Sequence, residues 1–331
     1  MLNWQIEALA LELRYTWKIA RNASEGKINL FVRVADENFT GIGEAAPNIR
    51  YHETPENLIV QFGELVAAGL PLVTSLEELI DLLEASEPAN SLRFAIESAY
   101  IHFICQKLGL SVPDYLGAPE PVALATTFSL PIMEPAKIAG FIQENQLNRF
   151  SALKVKVNRE SCLDLVQETA RNFSGPLLID GNEAWTEPET LLVFLEKLAP
   201  YNIMFIEQPM PAAEEDAFIY LKQRSPYELY ADESVLDQPD FEVLKQQFHG
   251  INMKLMKAGG YLNGKRILEE ANCWGLKTMI GCMVETSLGI WSAMQLSQFA
   301  QTADLDGFLI LKDDPFKIIH EKNGCLHLGA S

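Results

Sequence analysis

Residues 153–157 read Leu-Lys-Val-Lys-Val, and how this run is placed decides the fold. Leucine and valine mark a buried strand, while side chains two apart on a strand point to the same face. Lys154 and Lys156 therefore share one face of a segment whose neighbours exclude water, a placement that needs a chemical reason. Similar short apolar strands occur at 125–128, 177–180, 204–207, 229–232, 251–254 and 278–281, with a last one just before Asp304. Amphipathic helical stretches separate them: Leu191, Leu192, Leu195 and Leu198 form one apolar stripe, and residues 262–274 carry another. Strands alternating with helices predict parallel βαβ units. Eight of them in roughly 190 residues predict a compact (β/α)8 barrel. A doubly wound sheet is the rival, but no Gly-x-Gly-x-x-Gly follows any strand.

Several of these strands finish on a charge: "LLID" at Asp180, "MFIE" at Glu207, "LYAD" at Asp232 and "INMK" at Lys254. With Lys156 they stand 22–27 residues apart, about one β/α unit each, so they come from strands two to six. In a barrel the C-terminal strand ends form a single mouth, where catalytic groups collect. Three carboxylates at one mouth repel each other unless a cation sits between them, and an all-oxygen set points to a hard ion, Mg2+. Zinc is disfavoured, because none of His52, His102, His249, His320 and His327 has ligand spacing or ends a strand. Strands two and six lie across the barrel axis, so Lys156 and Lys254 face a bound substrate from opposite sides. That suits removing a proton from one face of a carbon α to a carbonyl and returning one to the other. Lys154 is expected to lower the pKa of Lys156 and to meet the substrate's carboxylate.

The N-terminal part reads differently. Residues 27–34 and 39–46 are paired strands, Thr54-Pro55-Glu56 opens a helix, and another helix runs over about 91–108. Prolines 113, 119 and 121 mark a boundary. The expected domains are an α+β cap from 1–122 plus the tail 315–331, and a barrel over 123–314. The chain has 331 residues, 48% hydrophobic and 21% charged, with 26 Lys and Arg against 45 Asp and Glu. A net charge of −19 argues against nucleic acid and anionic membranes as partners. Five scattered cysteines fit reduced thiols, and Glu7 and Glu12 interrupt any leader peptide, so a cytoplasmic protein is expected.

Taken in order, Lys154-Val-Lys156, "IDGNEAW", "FIEQP", "ADES", "INMKLMKAGG" and the N-terminal "GIGEAAP" resemble the enolase superfamily, in its muconate-lactonising-enzyme subgroup, over nearly the whole chain. The resemblance implies a capping domain on a modified barrel, Mg2+ held by Asp180, Glu207 and Asp232, and Lys156 and Lys254 as acid and base. Two further motifs resemble the dipeptide epimerases: "GCMVETS", with Cys282 and Met283 at the substrate, and "ADLDGF", with Asp304 and Asp306. Two acids on one strand face make a socket for a cation such as a dipeptide's ammonium group. Cycloisomerases and o-succinylbenzoate synthases, the rivals on this scaffold, handle substrates without one. A Schiff-base aldolase has no need of three strand-end acids, and a silent barrel acting as a binding protein has no need of the acid–base set. For the dipeptide's second residue, Arg21, Lys18 and Arg50 could meet an acidic side chain, whereas Ile49 and Tyr51 suit an apolar one, towards which the reading leans. The expected partner is a dipeptide substrate, and the expected assembly a homo-oligomer.

Overall fold

The structure is a computed structural model describing residues 1–20 and 23–329. Three antiparallel strands open the chain: β1 (Asn3–Lys18), β2 (Ala23–Ala35) and β3 (Thr40–Ala45), ordered β1-β2-β3. Sequence reasoning recovers β2 and β3 and misses β1. The alternation of β1 changes phase along its length: Trp4 is buried in the core of the three-stranded sheet, whereas Leu11 and Leu13 join the barrel's core. Its register against β2 also shifts between Glu12 and Trp17. A strand serving two cores in succession has no single period-2 pattern.

Helix α1 (Pro55–Ala68) starts as expected, with the Thr54 side chain accepting from Asn57 N and proline in the first turn. After α2 (Leu76–Ser86) comes α3 (Asn90–Leu108), which is buried on nearly every face. Ala95, Ala99 and Phe103 pack under the sheet, while Phe94, Ile101 and Cys105 join the barrel core. A helix apolar all round is one enclosed between two layers. The sheet comes so close to it that only glycine fits: a Cβ on Gly41 would lie 1.9 Å from the Ala99 carbonyl oxygen, and one on Gly43 2.1 Å from that of Ala95.

The short strand β4 (Leu124–Ala125) precedes eight parallel strands: β5 (Phe128–Leu130), β6 (Leu153–Lys156), β7 (Leu177–Asp180), β8 (Ile203–Glu207), β9 (Glu228–Ala231), β10 (Gly250–Lys254), β11 (Lys277–Gly281) and β12 (Thr302–Asp304). They are hydrogen-bonded in chain order from β5 to β12. The first barrel strand therefore starts three residues later than expected, because 124–125 are recruited by the tail. There β13 (Ile319–Lys322) and β14 (Cys325–Leu328) form a hairpin that pairs with β4, and Arg149 bonds Glu321 at 2.9 Å. Between β5 and β12 the barrel closes through one backbone bond, Thr127 N to Ala303 O at 3.1 Å, and through side chains described below.

Alternation along the strands sorts the side chains. Leu153, Val155, Ile179, Ile206 and Ile251 face the surrounding helices. Ala152, Leu178, Phe205, Tyr230 and Met279 plug the lumen, with the Phe205 and Tyr230 rings stacked 3.8 Å apart. One layer above that plug, in the same inward phase, stand Lys154, Asp180, Glu207 and Asn252. All five cysteines are free thiols, and no helix among the described residues is long and apolar enough to cross a membrane.

The sheet–helix contact makes a direct prediction. Gly43→Ala should destabilise the protein by about 1–3 kcal/mol in urea unfolding, since its methyl group must push the strand off α3. An unchanged midpoint would mean that this packing yields freely.

Candidate active site

The cap is fastened to the C-terminal face of the barrel by buried acids set at helix N-termini. Glu44 on β3 accepts from Thr286 Oγ1 at 2.6 Å and from Gly289 N at 3.0 Å, at the start of the helix Ser287–Met294. Glu97 on α3 accepts from Leu262 N at 3.0 Å, in the first turn of the helix Tyr261–Cys273. A carboxylate is favoured there because the first-turn N–H groups are unpaired and the helix dipole is positive. Burial still pushes Glu97 up to about 7. At the rim Arg50 bonds Glu183 twice, each at 2.9 Å.

Between cap and barrel lies a cavity of about 390 Å3, in the range of small-molecule sites. Lys156 and Lys254 both line it, from strands four apart in an eight-strand order. Lys154, Cys282, Met283, Asp304 and Asp306 line it too, and the cap adds Trp17, Lys27 and Tyr51. Asp232 reaches its wall, while Asp180 and Glu207 lie buried beneath.

The Lys154 ammonium is the hub of this layer. It stands 2.8 Å from Asp304 Oδ2, 2.8 Å from Glu207 Oε2 and 3.3 Å from Asp180 Oδ2. Burial disfavours its charge, but Asp304, Glu207 and Asp180 outweigh that and hold its pKa well above the usual lysine value. Lys156 Nζ lies 2.7 Å from the same Asp180 oxygen and 3.2 Å from Asn182 Oδ1. Two lysines can thus sit side by side because one carboxylate oxygen lies between their ammonium groups. Burial would raise the Asp180 carboxyl, but Lys156 and Lys154 bring it down to about 2.

Asp232 is held from two sides. Lys254 Nζ is 2.8 Å from Oδ2 and Lys257 Nζ is 2.6 Å from Oδ1. Against the cost of burial, these two lysines keep Asp232 ionised far below the ordinary carboxylate range. In the sequence Lys257 looks like an ordinary loop charge; in the fold it is among the largest of the fully buried side chains. The one-turn helix Leu255–Ala258 follows Lys254 directly, and i, i+3 spacing on that turn is the signal that could have found it.

Asp180, Glu207 and Asp232 offer only oxygen donors, the set a hard divalent ion takes. As placed, these oxygens turn towards lysines, and among the described residues no three acidic, histidine or cysteine side chains surround a common point. Glu207 Oε2, however, is buried and accepts no hydrogen bond, since Lys154 approaches it off the bonding direction. Burial, with Asp180 and Asp232 adding to it, pushes the Glu207 carboxyl up to about 7. Positive charge among the three would relieve this, so the residues fit Mg2+ in kind.

The Asp304 and Asp306 carboxylates also close the barrel. Asp304 Oδ1 accepts from Thr127 Oγ1 at 2.6 Å, and Asp306 Oδ2 accepts from Ser129 N at 2.6 Å. Asp304 is kept ionised by Lys154 despite its burial, whereas burial and the Asp304 charge push Asp306 up to about 7. Cys282 Sγ donates to Asp304 O at 3.3 Å, and its burial raises the thiol pKa well above the usual value. Tyr51 sits in the turn Ile49–Tyr51 beside Arg50, while Lys18 and Ile49 are exposed. Arg21 lies outside the described residues.

A (β/α)8 barrel carrying lysines on strands two and six and acids on three to five is the arrangement of the enolase superfamily. The family profile described as Enolase C-terminal domain-like matches residues 137–320, and the chain belongs to that superfamily. Within it the chain falls in the muconate-lactonising-enzyme subgroup and is dipeptide-epimerase-like. It is 32% identical, over 97% of its length and 94% of the other's, to an L-Ala-D/L-amino acid epimerase of Pedosphaera parvula. It is 30% identical, over 96% of its length and 83% of the other's, to an L-Ala-D/L-Glu epimerase of Bacteroides thetaiotaomicron. The crystal structure of a dipeptide epimerase from Enterococcus faecalis, complexed with Mg and L-Leu-L-Tyr, superposes with a TM-score of 0.89 at 26% identity, covering 99% of this chain and 97% of that one.

The pairing of Lys257 can be tested without activity. Lys257→Met leaves half of a buried carboxylate uncompensated and should cost about 3–5 kcal/mol in urea unfolding. A loss below about 1 kcal/mol would mean that Lys254 alone satisfies Asp232.

Proposed function

We propose that this chain is a Mg2+-dependent dipeptide epimerase that inverts the α-carbon of the C-terminal residue by a two-base 1,1-proton transfer. The observation that carries the reading is that Lys156 and Lys254 line one cavity from opposite strands of the barrel. A carbon held between them presents one face to each amine. One lysine in its neutral form removes the α-proton, and the other, charged, delivers a proton to the opposite face; the roles exchange for the other epimer. Asp180, Glu207 and Asp232 would hold the Mg2+, whose charge favours the build-up of electron density on the substrate carboxylate. Lys254 is kept in its charged form by Asp232, which suits it to donate. Lys154, fixed by three acids, supplies positive charge beneath the reacting carbon.

Asp304 and Asp306 serve as the ammonium socket. Asp304 already neutralises Lys154, so Asp306 has the more to gain from a substrate cation. The cap, through Trp17 and Tyr51, covers the bound dipeptide and keeps water from the carbanion.

Lys156→Ala and Lys254→Ala should each lose about 10²–10⁴-fold in epimerisation. In D2O each variant should still exchange the α-proton of one epimer only, and the two variants should differ in which one. Chelation should stop turnover and added Mg2+ restore it. Epimerisation at the unaltered rate by either variant would rule out the two-base scheme.

A pH profile tests the socket. With its carboxyl raised to about 7, Asp306 is neutral below that pH and charged above it. Hence kcat/KM for free-amine dipeptides should rise through pH 7, a rise absent for N-acetylated analogues and in Asp306→Asn. The same rise with both substrates would place the titration elsewhere.

A further inference from the structure

Lysine and arginine side chains enter the cavity at Lys27, Arg50, Lys154, Lys156 and Lys254. Four of them meet carboxylates: Arg50 meets Glu183, Lys154 meets Asp304 and Glu207, Lys156 meets Asp180, and Lys254 meets Asp232. Lys27 has no such partner among the described residues, and burial alone lowers its pKa. A half-buried ammonium with no acid beside it is placed unfavourably unless a ligand brings the anion.

Its position says which part of the ligand does so. Lys27 pairs with Leu11 across the β1–β2 ladder, and Asn29, two residues on and on the same face, donates to Val284 O just past β11 at 3.0 Å. Further along β1, Leu13 bridges to Leu311 and Arg14 N donates to Ile310 O at 2.9 Å, beyond β12. Lys27 thus stands over the β11–β12 wall, which also bears Asp304 and Asp306. The first residue's side chain branches from the carbon that carries the ammonium group. The second residue's branches from the carbon held between Lys156 and Lys254. With the ammonium group in the Asp304–Asp306 socket, the first residue's side chain starts at the wall that Lys27 overhangs, and the second residue's starts farther away, between the two lysines.

We propose that Lys27 binds a side-chain carboxylate on the N-terminal residue of the dipeptide, so that preferred substrates carry Asp or Glu before the carbon that is inverted; this rests on the epimerase reading above. A charge-assisted bond confined to one substrate side chain adds specificity without touching the reacting atoms.

The test compares α-proton exchange in D2O for L-Glu-L-Ala, L-Gln-L-Ala, L-Ala-L-Glu and L-Ala-L-Gln. For the unaltered enzyme, kcat/KM with L-Glu-L-Ala should exceed that with L-Gln-L-Ala by about 10- to 100-fold, chiefly through KM. Lys27→Met should bring that ratio close to one, and Lys27→Arg should keep most of it. Equal rates for the two, a charge preference confined to L-Ala-L-Glu, or a ratio that survives Lys27→Met would each overturn the role of Lys27 while leaving the epimerase reading intact. Exchange from none of the four would overturn that reading and this one together.

Discussion

The ammonium group of Lys154 is the constraint on which the site rests. It stands inside the barrel, one layer above the apolar plug, and touches carboxylates from the third, fourth and eighth strands. Each buried ion costs several kcal/mol of lost solvation, and three anions without a cation could not remain ionised so close together. Lys154 makes the cluster tolerable. By reaching from the second strand to Asp304 on the eighth, it also ties together the two sides of the barrel's weakest seam. Lys154 and Lys156 can share one dry face because both amines contact Asp180 Oδ2, and neither is left without an anion.

Charge also does the joining elsewhere. The seam between β5 and β12 has one backbone bond where other strand pairs have a ladder, and Asp304 and Asp306 supply the missing acceptors to Thr127 and Ser129. The same two side chains face the cavity. A residue that both closes the barrel and lines the site transmits any shift of the seam to the substrate, so it cannot be altered for one purpose alone. Glu44 and Glu97 work likewise between domains, since each satisfies helix N–H groups that would otherwise be buried without partners.

Legibility from sequence followed how local each signal is. The barrel strands are continuous apolar runs ending in a charge, and the five residues at those ends were readable because a parallel barrel repeats at one unit length. Lys257 escaped because its meaning depends on a one-turn helix too short to carry a pattern. The first strand escaped because its inward face changes from one core to another midway. Glu44 and Glu97 read as an ordinary strand acid and an ordinary helix acid, for the helix ends they cap lie 242 and 165 residues away in sequence. Lys27 gave no signal at all, because a lysine in a half-exposed strand is unremarkable until its neighbours are known to lack acids.

The two halves of the cavity are therefore built on different terms. In the barrel half, Lys154, Lys156 and Lys254 are bound to Asp180, Glu207, Asp232 and Asp304 through buried ion pairs, and a change at one upsets its partners at cost. In the cap half, Trp17, Ile19, Lys27 and Tyr51 project from strands and turns whose attachment rests on Glu44, Glu97 and backbone bonds such as Lys312 N to Glu12 O. Of the cap side chains that line the cavity, Asn29 and Arg50 share in that attachment, Asn29 through Glu44 and Val284 O and Arg50 through Glu183, whereas Lys27 has no ion pair among the described residues. Substitution at Lys27 leaves the bonds made by Asn29, Arg50, Glu44 and Glu97 in place. On the function proposed above, proton transfer is thus tied to the barrel's buried ion pairs, and a side-chain contact from Lys27 is free of them.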